Sequence, residues 1–499
     1  MPAITFGDFS GGLDRRLPIT VQESNRLWTL KNAFVTTGKK IAKRRGLRAL
    51  AGSLVGPSGE KTFGLHNING ALTVFSESAA AWSLPAPVQK LVTSAVADPG
   101  WTLADSVFGA TYQSFAYFVG KYTNGAQVRY YHHLFDGAPS TQITTLPGTV
   151  VTTGSKAPGI TVMASRVFVT SGDGRLVYYC AAGNARDWTT ANDAGSLAVA
   201  LQNNVATGAA ALGNFQDKLA VMFSDSVQTW NIFVDPAQNA IDRRIYGVGS
   251  AAPYSLASFG NDLVFLSPSG FRSLSVASIS DRIDDRDVGV PVDKLVVPDI
   301  AACLAQQSPP DAPGVAAVAI ERFQSLWIPQ LGQYWCWMPM ATTTRVWAYT
   351  YSKLSKLACW SQFDFPFVMT GVAIAAGTVY VRSATKLYEL TDEVYTDDGT
   401  LIDVEVQMAF QDAKTPGVQK QIYGADFVIE GTAEVAYKFD PRDQTKETVP
   451  QTITGDTRPG DMVPVEVVSP CIAPVFRQSA DAPLEIDALT LYYNLLATV

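Results

Sequence analysis

Between about residues 60 and 395 a single pattern recurs, and no other feature of this 499-residue sequence restricts its fold as much. A short apolar strand, a polar or Gly turn and a strand of alternating apolar residues are followed by a Ser, Gly or Asp turn, then a strand carrying Trp, Tyr or Leu. Instances begin at Phe63, Phe108, Val162, Ala211, Leu256, Val318 and Val372. Aligned on the residue that opens the second strand, they fall at Leu72, Phe115, Val167, Leu219, Leu263, Leu326 and Val379, about 51 residues apart on average. That interval is one four-stranded blade of a β-propeller. Apolar residues alternate with period two, as at Leu219, Val221 and Phe223, where a helix would need spacings of three and four. Asn69-Gly70, Gly172-Asp173-Gly174 and Gly260-Asn261-Asp262 stand where hairpins must reverse, because Gly, Asn and Asp tolerate positive φ. The expected fold is all-β, with about seven blades, or six if one degenerate unit belongs to an insertion.

The flanks differ from the repeat. Residues 1–55 lack the blade pattern and read as an N-terminal arm; the propeller spans 56–399, with an insertion near 280–315. Residues 400–499 alternate apolar and polar positions in VEVQMAF, AEVAYKF and EIDALTLYY, as in a β-sandwich. Trp82, Trp188, Trp230, Trp327 and Trp360 are expected to pack between blades.

Composition removes several classes of function. No stretch reaches the 18 or so uninterrupted apolar residues of a membrane-spanning helix, so no membrane insertion is expected. The N-terminus has no basic region followed by an apolar run, and a start at Met1 fits an unprocessed product made in the cytoplasm. Five Cys without CxxC spacing suit a reduced compartment. Only three His are present, at 66, 132 and 133, which leaves little imidazole for catalysis or metal binding. No enzyme activity, cofactor or metal is expected.

Individual motifs point the same way. Gly247 to Ala252 matches G-x-G-x-x-A, but Pro253 and the strand pattern after it oppose the helix that a dinucleotide site needs. Asp217 and Asp262 precede repeated strands and could pair for glycoside hydrolysis, although hairpin turns explain both. Asp281, Asp284, Asp285 and Asp287 are interleaved with Arg282 and Arg286, which suits a subunit-bridging loop better than a calcium loop. Lys39, Lys40, Lys43, Arg44, Arg45 and Arg48 put six cations in ten residues. The net charge is -7, with residues 1–60 at +6 and 400–499 at -8, so a contact between this run and acids of another subunit or an adaptor is expected ahead of nucleic-acid binding.

Phe9-Ser10-Gly11-Gly12-Leu13-Asp14-Arg15, Leu30-Lys31-Asn32-Ala33, Thr37-Gly38-Lys39-Lys40 and Lys43-Arg44-Arg45-Gly46-Leu47, in that order before a propeller, resemble the opening of tail nozzle proteins of short-tailed bacteriophages. The resemblance covers the first 50 residues or so and is one of architecture beyond them. It implies a structural virion protein of the phage tail, a homohexameric ring below the head-to-tail adaptor or connector ring. Such a ring extends the ejection channel, through which double-stranded DNA passes without specific binding, and some rings carry tail fibres or spikes. The alternatives are a propeller enzyme degrading envelope polysaccharide and a propeller module binding protein or sugar.

Overall fold

The turns that begin each repeat set its geometry. A computed structural model describes residues 2–125, 127–138, 140–150, 157–202, 208–280, 287–305, 319–458 and 461–496. In it, Asn69-Gly70, Ala164-Ser165, Gln216-Asp217, Gly260-Asn261 and Ala376-Gly377 each supply two consecutive residues of positive φ between paired strands. Two-residue turns of this kind match the right-handed twist of the strands they join. They start a series of small sheets, here numbered I (63–92), II (102–135), III (160–197), IV (211–246), V (257–273), VI (324–365) and VII (371–391).

The sheets form a closed cycle. The first strands, Phe63–Ile68, Thr102–Tyr112, Ile160–Met163, Ala211–Phe215, Ala257–Phe259, Gln324–Ile328 and Gly371–Ala375, each lie beside the next, and the last lies beside the first. Apolar side chains fill every interface of the cycle. Phe75 stacks on Phe118 between I and II; Tyr117, Ile160 and Trp188 join II and III; Leu219, Trp230 and Phe168 join III and IV. Met222 and Phe265 join IV and V, Trp335 and Val381 join VI and VII, and Leu72 and Ala373 join VII and I. Between V and VI, Phe259 stacks on Trp327 and Phe271 on Trp360, each with ring centroids 4.4 Å apart. Radial packing of small sheets with both faces covered is the arrangement of a β-propeller.

Two features depart from the sequence reading. Leu326 lies in the first strand of sheet VI, and the second strand, Gln333–Pro339, opens at Gln333. Here the inner strand QSLWI is itself apolar and is followed by a longer turn, so it imitates the second-strand pattern. The second departure concerns the N-terminus. Gly46–Ala49 pairs antiparallel with Lys386–Thr391 and supplies the fourth strand of sheet VII, with Thr396–Asp397 beyond it in parallel. Ala3–Phe6 and Ile41–Lys43 pair with Leu484–Leu495, and Arg26–Lys31 pairs with Val404–Met408 while touching Leu357–Phe365 of sheet VI. Residues 2–49 are therefore built into the propeller and the C-terminal region. Ile4, Phe6, Leu27 and Leu30 enter the same core as Phe427, Ile486 and Leu489. Burial of each such side chain stabilises by roughly 1.5–3 kcal/mol.

The C-terminal region is organised by one 19-residue strand, Lys420–Lys438. It pairs with Val463–Ser469 and Leu484–Leu495 over most of its length, and near its end with Gln451–Thr454 and Ala473–Gln478. In the insertion between V and VI, the helix Asp293–Ala305 packs on both sheets. Among the described residues no helix is long and apolar enough to cross a membrane.

Candidate functional site

The six cations of the basic run separate by depth. Arg44 is almost fully buried, and its guanidinium grips Asp397, with Nη1 2.9 Å from Oδ1 and Nη2 2.5 Å from Oδ2. It also donates to the Asp364 carbonyl and to Asn32 Oδ1, and lies over the Phe365 ring at 4.1 Å. Asn32 completes the joint: its side chain accepts from the Asp364 amide and donates to the Asp403 carbonyl, so one Asn holds sheet VI, the N-terminal segment and the C-terminal region together. Lys43, also buried, has no carboxylate within ion-pair reach among the described residues and donates to Gln478 Oε1 and the Ala480 carbonyl. Burial, with Arg44 nearby, pushes its ammonium down to about 8.

The outer cations find acids on the same chain. Lys39 meets Asp8, Lys40 meets Asp487 and Glu485, and Arg48 meets Glu389 and Glu393. Arg45 reaches Asp392 only at 3.7 Å, with both side chains exposed. Acids of the same chain thus lie beside these cations: Glu389 and Glu393 meet Arg48 because Gly46–Ala49 pairs with Lys386–Thr391, and Glu485 and Asp487 meet Lys40 because Ile41–Lys43 pairs with Leu484–Leu495. A cleft of about 240 Å³ opens beside Arg45 and Arg48, lined also by Gln330, Thr378, Glu389 and Asp392.

The acidic motif is described only at Asp287; Asp281, Arg282, Asp284, Asp285 and Arg286 lie outside the described residues. Asp287 is buried, which removes it from any surface bridge. Its Oδ1 accepts from the Ser273 and Val288 amides, and burial pushes the carboxyl up to about 6. Asp262 binds the Ser273 hydroxyl and the Ser275 amide at the start of a short helix, and Asp217 is the second residue of a hairpin turn. Ser250, within the G-x-G-x-x-A match, donates to the Leu266 carbonyl in a loop.

A cluster missed by sequence reasoning crosses the propeller. Glu321 leads into sheet VI, yet it accepts from Tyr130 at 2.8 Å and from Lys121 at 3.3 Å, both on sheet II, which is not a neighbour in the cycle. Tyr254, which leads into sheet V, donates to the Pro158 carbonyl ahead of sheet III. Burial raises the Glu321 carboxyl, and Lys121 and Tyr130 oppose the rise. Asp105 stands on the first strand of sheet II, with the Ser106 amide on Oδ1 and burial raising its carboxyl while Lys121, Arg322 and Arg382 draw it down. Beside it His66 Nε2 is 2.8 Å from Ser106 Oγ. Burial, with Arg382 nearby, pulls the imidazole down to about 4, so it is neutral at pH 7.

As chemistry this is a brace. A serine nucleophile needs a base held by a third group, and among the described residues no carboxylate lies on His66 Nδ1. His132 and His133 are buried and bonded to Tyr117 and Tyr122, and burial pulls both to about 3. The described residues hold no group of three metal-ligating side chains. No pattern in the sequence marked Glu321, whose partners are 191 and 200 residues away.

No family model matches the chain, and no curated protein matches it. Among solved structures, the Neurospora crassa Pan2 WD40 domain is 8% identical over 57% of this chain and 75% of its own, with a TM-score of 0.29. Kluyveromyces lactis Hsv2 is 9% identical over 66% of this chain and 85% of its own, with a TM-score of 0.27.

Proposed function

We propose that this chain is a non-enzymatic structural protein of a phage tail, a seven-bladed propeller that assembles into a nozzle ring around the path of exiting DNA. The observation that carries the reading is where the resembling residues sit. Gly12 has φ +54°, and a Cβ there would stand 2.4 Å from Cys359 Cβ. At Gly46 a Cβ would meet the Thr396 carbonyl oxygen at 2.4 Å. With Asn32 and Arg44, these residues form the joint between propeller, N-terminal segment and C-terminal region. The phrases that resemble nozzle proteins fall on residues that this architecture requires, which supports a scaffold role.

The charge pattern supports passage of DNA without grip. Fixed cations that neutralise phosphates add salt-dependent affinity, and here the basic run is engaged mainly by acids and carbonyls of its own chain. Six copies, an adaptor above and fibres or spikes beside it belong to the same reading. Particle imaging of the purified full chain tests it: rings with an axial hole are expected. Isolated discs that release reducing ends from host polysaccharide would replace it with the enzyme.

A further inference from the structure

The loop 14–26 holds three buried polar atoms without a hydrogen-bond partner among the described residues. Asp14 takes both Arg16 and Arg26, but Arg15 has no acid in reach among the described residues. Its guanidinium carbon lies over the Trp28 ring, 3.6 Å from the centroid, and its buried Nε has no hydrogen-bond partner among the described residues. Two further buried atoms of the loop, Gln22 Oε1 and Asn25 Oδ1, are also unpartnered. Along the same stretch Ile19 turns inward onto Phe410 and Ala473, while Leu17 and Val21 turn outward, 48% and 61% exposed. An arginine stacked on an indole keeps its in-plane N–H groups for a carboxylate.

The C-terminal region offers the complement. Val463–Ser469 is an edge strand whose only strand partner among the described residues is Lys420–Lys438. Pro464, Glu466 and Val468 alternate on its exposed face, and no cation lies within ion-pair reach of Glu466 among the described residues. Val468 is 58% and Met462 45% exposed. The loop therefore presents a cation flanked by apolar side chains, and the edge strand presents an acid flanked by apolar side chains. Just past the strand, Cys471 packs in the same small cluster as Ile19 and Trp28, so loop and strand belong to one region and each copy carries both halves of a contact.

We infer that the loop 14–26 docks the edge strand Val463–Ser469 of a second copy of this chain, with Arg15 paired to Glu466 and with Leu17 and Val21 covered by Val468 and Met462. The inference rests on the assembly reading above only in requiring self-association. Sedimentation velocity on the full-length protein tests it. Arg15→Glu and Glu466→Arg are each expected to weaken association by about tenfold or more, as the loss of a desolvated interfacial charge pair does. The double variant Arg15→Glu/Glu466→Arg is expected to recover most of the loss. Leu17→Ser/Val21→Ser is expected to weaken association while the melting temperature of the dissociated monomer, read at dilution, is unchanged, which separates docking from folding. A wild-type monomer at tens of micromolar (roughly, where specific interfaces populate), unchanged association of Arg15→Glu, or no recovery in the double variant overturns it. Rings that persist in Arg15→Glu would refute this contact and leave the nozzle reading standing.

Discussion

Two stretches of the N-terminal segment, 39–48 and 14–26, are both rich in arginine and lie in opposite circumstances. In the first, Arg44 is enclosed and fully engaged by Asp397, Asn32 and Asp364. In the second, Arg15 rests on Trp28 with its buried Nε unpartnered among the described residues. Six of ten residues are cationic in the first stretch and three of thirteen in the second, and in both the role of an arginine follows from whether an acid comes within reach. The first stretch is a joint of the monomer, and in the second Arg15 finds no acid among the described residues.

Substitutions can break this contrast. Arg44→Ala strands Asp397 in the interior and is expected to cost about 3–5 kcal/mol, read as a lower denaturant midpoint. Gly46→Ala forces a methyl against the Thr396 and Val394 carbonyl oxygens and is expected to cost roughly 1–3 kcal/mol in the same assay. Lys43 gives a pH test. Its folded-state value, near 8, lies below the ordinary 10.5, so the folded protein binds this proton less tightly than the unfolded chain does. Stability should therefore rise between about pH 8 and 10.5, and Lys43→Met should abolish that rise. Arg48→Ala removes only exposed pairs and is expected to cost about 0–1 kcal/mol. Smallest of all, Leu17→Ser/Val21→Ser should leave monomer stability within about 0.5 kcal/mol. A large loss there would mean that the monomer already covers the loop.

The propeller was legible where its signals are local. Leu72, Val167, Leu219, Leu263 and Val379 each stand second in the second strand of their sheets, and Phe115 opens its own, because hairpin turns and alternation occupy a few adjacent residues. Trp188, Trp230, Trp327 and Trp360 pack in or against the cores between sheets, as expected of large apolar side chains. Trp82 instead donates to the Ser53 carbonyl and lies beneath Lys90. What the sequence concealed depends on distant partners. Gly46–Ala49 is four residues without alternation and becomes a strand only against Lys386–Thr391. Asp105 and Glu321 sit in unremarkable contexts and acquire meaning only when the ring brings sheets II and VI face to face. The loop 14–26 was hidden for another reason: its basic residues look alike until Asp14 is seen to take two and leave one.

The strand that closes sheet VII also imposes an order of events during synthesis. Arg48 and its partner Glu389 are 341 residues apart. At translation rates of about 5–20 residues per second, the N-terminal strand waits roughly 20–70 s before its docking edge leaves the ribosome. Throughout that interval the growing propeller is an open arc, with the first sheet exposed on the side that the last will cover. Closure is then a single late event that fastens both ends of the arc, and shortening the delay with faster codons or lengthening it with a pause is a handle on yield that no folded-state substitution offers.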